Sequence, residues 1–136
     1  YLNDTRIHVT GNTNLSEGIL GTDLSYNSSS TTNGLAIVNS FLPELWALRV
    51  MGSSALGLSY AAAGRYDLYF HGSLSPWDQV AGMLLVEEAG GVVTDRNGQR
   101  ATVNSDGIIA SNKTLHAEFM RRTDGMDWRK PTRAKS

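Results

Sequence analysis

Ser75-Pro76-Trp77-Asp78-Gln79-Val80-Ala81-Gly82-Met83-Leu84-Leu85-Val86-Glu87-Glu88-Ala89-Gly90-Gly91 reads as one helix with both ends marked. Ser75 can accept a hydrogen bond from an orphan backbone N–H, which suits an N-cap. Pro76 fits the first helical position, where no backbone donor is needed. Asp78 falls in the first turn, where the macrodipole stabilises a negative charge. Gly90 or Gly91 can take the left-handed conformation that ends a helix. A carboxylate held at a helix start is a candidate metal ligand or base. It is equally a candidate capping group, and the local residues do not separate the two.

The flanking sequence sets the fold class. Upstream, Tyr66–Phe70 reads as a strand leading through a short loop into the helix. Before it, Ala47–Met51 reads as a buried strand, Gly52-Ser53-Ser54 as a strand-to-helix turn, and Ala55–Ala63 as a helix of small residues closed by Gly64. Downstream, Gly91–Thr94 and Gly107–Ser111 read as strands separated by the turn Asp95-Arg96-Asn97-Gly98. Asn112 then caps a helix that runs to about Arg122. Such alternation predicts an α/β fold, a layered sheet of mixed or mainly parallel strands with helices on its faces. Nearer the start, Arg6–Thr10 alternates as a short strand and Gly18–Thr22 as a second one. Ser28–Asn33 holds only Ser, Thr and Asn and reads as a mobile surface loop. A helix over about Asn33–Leu42 follows, stopped by Pro43. The organisation expected is one domain over 1–122 and a basic, disordered tail over 123–136.

Composition narrows the functions. The 136 residues carry a formal charge of -1, so no global field points to nucleic acid or an acidic membrane. No run approaches the roughly 20 apolar residues of a membrane span, and no signal-peptide pattern is present. A cytoplasmic location without nucleic-acid or membrane partners is the resulting expectation. The chain holds no cysteine, which excludes disulfide and thiol chemistry. It starts at Tyr1, so it is expected to be a processed chain or a piece of a longer one. Sequons at Asn3, Asn14, Asn27 and Asn112 read as chance occurrences.

In a layered α/β sheet, ligands sit beyond the carboxyl ends of strands, beside helix N-termini. Two loops match that location, Gly52–Ser54 and His71–Asp78. Gly52, Ser53 and Ser54 put backbone N–H groups and hydroxyls at a helix start, which attracts phosphate or hydroxyl-rich ligands; ordinary capping explains them equally well. Ionised Asp78 offers the oxygen ligands that Mg²⁺ prefers. His71 ends a strand in the same loop, as a ligand contact or as a structural histidine. Glu87 and Glu88 lie at the far end of the helix and read as solvated or ion-paired. Asp67 reads as a locally paired group.

The run Trp77-Asp78-x-x-Ala81-Gly82-x-Leu84-Leu85-Val86-x-Glu88-Ala89-Gly90-Gly91 resembles the second signature of the inositol monophosphatase family. Leu20-Gly21-Thr22-Asp23-Leu24-Ser25-Tyr26, Arg49-x-x-Gly52-Ser53-Ser54-Ala55-Leu56, Ala62-Ala63-Gly64-Arg65-Tyr66-Asp67 and Ile109-Ala110-Ser111-Asn112 are similar to further segments of that family. The resemblance runs from about Tyr1 to Arg122 and matches the family's C-terminal half. It implies the C-terminal α/β domain of the sugar-phosphatase fold and a parent that hydrolyses a small phosphate monoester with Mg²⁺. By resemblance, Asp78 binds metal and a substrate hydroxyl. Ser54 lies against the sugar ring, with Gly52 and Ser53 beside it. His71 stands where animal inositol monophosphatases place a Glu. The family's Glu-Glu pair and Asp-Pro-x-Asp-Gly-Thr loop belong to its N-terminal half, so no residue of this chain is assigned a catalytic role and the chain alone is expected to be inactive. Implied partners are a small phosphorylated polyol or sugar, and either the N-terminal half or a second copy, as in a dimer. Bisphosphate nucleotidases and fructose bisphosphatases share the architecture. A non-catalytic ligand-binding or assembly module is the rival from another class.

Overall fold

The computed structural model describes residues 1–130. Its centre is a five-stranded sheet in the order β2-β1-β3-β5-β4. The strands are β1 (Ile19–Thr22), β2 (Ala47–Arg49), β3 (Leu68–His71), β4 (Val92–Thr94) and β5 (Ile108–Ser111). The β2, β1 and β3 strands run parallel, with Leu20 opposite both Leu48 and Leu68. The other half is antiparallel, with His71 opposite Ile108 and Val93 opposite Ala110. The sheet is therefore mixed, as the alternation of elements allowed.

Helices cover both faces, and the strands show why. Side chains alternate across a strand. On β3, Leu68 and Phe70 enter one core while Tyr69 enters the other; on β5, Ile109 opposes Ile108 and Ala110 in the same way. One face packs against α2 (Ser54–Ala62) and α3 (Pro76–Glu88), the other against α1 (Ser28–Phe41) and α4 (Lys113–Arg122). Two glycines let this layer pack closely, Gly57 for α2 against the sheet and Gly82 for α3 against α2. A Cβ on Gly57 would lie 2.3 Å from the Tyr69 ring, and one on Gly82 would lie 2.5 Å from the Leu58 side chain. Among the described residues, no helix is long and apolar enough to cross a membrane.

Besides the strand read as buried over Ala47–Met51, which is the edge strand β2 with Arg49 and the following Val50 and Met51 exposed, three expectations fail, each for a physical reason. Ser28–Asn33 is not a loop but the first turns of α1. Asn27 caps it, accepting from the N–H groups of Ser29 and Ser30, and Thr31 Oγ1 donates to the Ser25 carbonyl. A capped N-terminus tolerates the hydroxyl residues that a helix interior resists. Asn14 and Asn112 act as caps too, so three of the four sequon asparagines have a structural use. Arg6–Thr10 is not a strand. Val9 donates to the Ala89 carbonyl at the end of α3 instead of joining the sheet, and Ile7 and Val9 pack on the α2–α3 core.

The third failure is the tail. Asp127–Arg129 forms a short 3₁₀ turn, and Trp128 is fully buried. The indole stands edge-on to Phe70 and Phe119, with ring centroids 5.5 Å and 6.0 Å away. Arg129 Nη1 donates to the Met120 carbonyl at 3.0 Å. One aromatic residue thus orders a segment whose composition reads as a solvated tail. The expected tail beyond Lys130 lies outside the described residues.

Candidate functional site

The parallel strands β1, β2 and β3 all point their carboxyl ends at one edge of the sheet. There they meet the N-termini of α2 and α3, and a cleft of about 980 Å³ opens. Gly52, Ser53, Ser54, His71 and Asp78 all line it. Two loops separated in sequence are thus brought to one place by strand order alone. The structure adds Asp23, Ser30 and Asp106 to the lining. Asp23 follows β1 directly. Asp106 precedes β5, whose antiparallel direction brings its start to the same edge.

Each side chain has a defined setting. Asp78 sits in the first turn of α3, where its Oδ2 accepts from Ser75 N–H at 3.2 Å within a capping box. Its Oδ1 has no hydrogen-bond partner among the described residues. Ser53 is the N-cap of α2, its Oγ accepting from Leu56 N–H at 3.2 Å. The Gly52 N–H, expected to be open to a ligand, is taken. It and the Met51 N–H donate to Asp23 Oδ1 at 2.6 and 2.9 Å. The turn needs glycine there, since φ is +74° at Gly52. Asp23 Oδ2 accepts from the Tyr69 hydroxyl at 2.8 Å. Burial raises the Tyr69 phenol well above its ordinary value, and the Asp23 carboxylate adds to this. Tyr69 therefore stays protonated and serves as a donor. Asp23 was missed as a site residue because its neighbours in the cleft are remote in sequence.

His71 is buried, and its Nδ1 accepts from the Ser73 N–H at 3.0 Å. That bond leaves the ring proton on Nε2, toward the Leu24 backbone. Burial lowers its pKa, against the pull of Asp23 and Asp78. His116 on α4 is likewise lowered, first by burial and then by Arg129. Thr94 Oγ1 donates to the Asp95 carbonyl and so receives His116 Nε2–H at 2.6 Å. Both histidines fold neutral. Below the ordinary histidine value the unfolded chain takes up protons that the folded chain refuses. Stability is thus fully present above pH of about 6.5 and is lost as the pH falls through the lowered folded values. In urea unfolding of the full-length natural protein, the midpoint is expected to drop between pH 7.5 and 5.5. The double variant His71→Gln/His116→Gln is expected to drop less; an equal drop contradicts the assignment.

The other carboxylates read from sequence are structural. Glu87 pairs with Arg100 through two 3.0 Å hydrogen bonds. Asp67 is buried and accepts from Ile19 N–H at 2.7 Å and Asn12 Nδ2 at 2.9 Å. Among the described residues, no group of three His, Cys, Asp or Glu side chains could hold a metal ion. The donor set fits a metal only as a single arm: one carboxylate oxygen of Asp78 on the cleft wall.

Comparison with known proteins agrees with this layout. A model of the inositol monophosphatase family matches residues 1–125. The putative Nus factor SuhB of Neisseria meningitidis serogroup B is 37% identical over 121 residues, covering 88% of this chain and 46% of that protein. The fructose-1,6-bisphosphatase/inositol-1-monophosphatase of Thermotoga maritima is 33% identical over 125 residues, covering 89% of this chain and 45% of that protein. Among solved structures, inositol monophosphatase from Anabaena (Nostoc) sp. superposes with a TM-score of 0.83 at 33% identity, covering 91% of this chain and 50% of that one. The chain spans about half the length of the relatives it matches.

Proposed function

The chain belongs to the inositol monophosphatase family, and from that membership we propose that its cleft is one wall of a Mg²⁺-dependent phosphatase site acting on a small phosphorylated polyol or sugar. The observation that carries the reading is the convergence of Asp78, His71 and Gly52–Ser54 at the carboxyl ends of the parallel strands. Asp78 would hold the ion with one carboxylate oxygen, jointly with ligands from outside this chain. When bound, Mg²⁺ supplies charge stabilisation to the attacking and leaving oxygens of a phosphate ester. The chain's own residues orient the other end of the substrate. Ser54 and the Gly52–Ser53 turn meet ring hydroxyls, Asp23 holds that turn in place, and neutral His71, both of whose ring nitrogens are engaged within the protein, shapes the cleft wall without adding charge.

Among the described residues no group of three metal-ligating side chains converges, and we expect no turnover from this 136-residue chain alone. The test is phosphate release from inositol 1-phosphate by the full-length natural protein, with Mg²⁺ and with EDTA. Mg²⁺-dependent turnover of roughly 1–10³ s⁻¹ is expected, and none from the isolated chain. Fructose 1,6-bisphosphate and a nucleoside bisphosphate run beside it define the substrate class. Absence of Mg²⁺-dependent turnover on all three overturns the reading. It would favour a binding or assembly module, the alternative to which the Neisseria relative's name as a putative Nus factor lends weight.

A further inference from the structure

We propose that Arg96 is a positioning residue for the cleft, a guanidinium clasp that holds the His71–Ser75 loop and the Asp106 wall at a fixed separation. It follows β4 in an exposed-looking turn, Asp95-Arg96-Asn97-Gly98, yet only 4% of it is exposed. Its side chain runs beneath the cleft. Nε donates to the Asp106 carbonyl at 3.1 Å, Nη1 to the Trp128 carbonyl and Nη2 to the Gly72 carbonyl. Nη2 also lies 3.5 Å from Asp106 Oδ1, and the guanidinium carbon stands 4.7 Å from the centroid of the Trp128 ring.

The sheet register explains the position. The β3–β5 ladder ends at His71 opposite Ile108. Beyond that rung the two chains part, one into the His71–Asp78 loop and the other toward Asp106. Arg96 bridges the Gly72 and Asp106 carbonyls, where the backbone no longer pairs. Gly107 is shaped to this, while Gly72 makes room for Ser30. A Cβ on Gly107 would lie 2.7 Å from the Arg96 stem, and one on Gly72 would lie 2.3 Å from Ser30 Oγ. A planar fork with several fixed donors suits three separate acceptors, whereas an ammonium is a point charge on a flexible stem. The clasped loop carries His71 and leads into the Ser75–Asp78 capping box.

The kinetic part of this inference rests on the phosphatase reading, and the exchange part does not. In the full-length natural protein, Arg96→Lys is compared with Phe41→Leu, which disturbs the same core away from the clasp. Arg96→Lys is expected to raise KM for inositol 1-phosphate about tenfold with a smaller change in kcat, as expected when binding shared by ground and transition states is lost. It is also expected to speed hydrogen exchange at the Ser73 and Ser75 amides, which are bonded within the loop. Phe41→Leu is expected to lower Tm with KM and those amides unchanged. If Arg96→Lys does not fold, Arg96→Gln carries the same two readouts. Unchanged KM and loop exchange in the Arg96 variant overturn the clasp. A wild-type protein without turnover removes the phosphatase reading, and the exchange comparison then decides the clasp by itself.

Discussion

Asp78→Asn in the full-length natural protein is expected to lower Mg²⁺-dependent kcat/KM for a polyol monophosphate at least about 100-fold. Loss of an outer-shell partner of a metal ligand already costs about 10–100-fold, and a ligand stands closer to the chemistry. The substitution separates two roles that coincide at this position. Asparagine keeps the shape and an oxygen that can accept from Ser75 N–H, so the cap at the start of α3 survives. Only the charge is lost. The favourable meeting of that charge with the helix dipole is worth about 0.3–1 kcal/mol at an exposed site, so little stability is lost. Steady-state kinetics across a Mg²⁺ titration, with Tm measured in parallel, check the result. If turnover and Mg²⁺ dependence match wild type, Asp78 is a capping group and the metal role is wrong.

Trp128→Ala is expected to destabilise the protein by about 3–5 kcal/mol, the range for deleting a buried large aromatic. The indole is fully buried against Phe70 and Phe119, and Arg96 stacks on its face. Deleting it leaves a hole under β3 that the sheet cannot close, because Leu68 and Phe70 are fixed by strand pairing on both sides. It also frees the 3₁₀ turn to leave the carbonyl contact with Arg96. Domains of this size are stable by only about 5–15 kcal/mol, so the loss is visible in Tm and in the denaturant midpoint. A solvated tail would give a change within about 0.5 kcal/mol. A measured loss below 1 kcal/mol would show that the packing described here is wrong.

How much of this was legible in the sequence differs from element to element. The α3 helix is written in full, because Ser75, Pro76, Asp78 and Gly90 each act on their own turn and need no partner from elsewhere. The α1 helix is half-written. Leu35–Leu42 carries apolar spacing, but the turns before it hold only Ser, Thr and Asn, and the cap at Asn27 decides their conformation. The site divides in the same way. Gly52, Ser53, Ser54, His71 and Asp78 stand beside readable strand and helix boundaries. Asp23 and Asp106 also flank readable strands, but one gains meaning only from the Met51 and Gly52 amides and the other only from the direction of β5.

What the sequence determined by itself is local. It set where α2, α3 and α4 start and stop, and which long ordered run resembles one family. Those features depend on capping, backbone φ and side-chain period, all of which act within about one turn or one strand. The tertiary structure alone decided which loops share the cleft. It turned the Gly52 N–H inward to Asp23 and drew Trp128 into the core. It also buried Arg96 from a turn that looks exposed. Each of these depends on strand order and on contacts between segments distant in the chain. Burial energy and buried hydrogen bonds between such segments then outweigh the local preference of a basic tail.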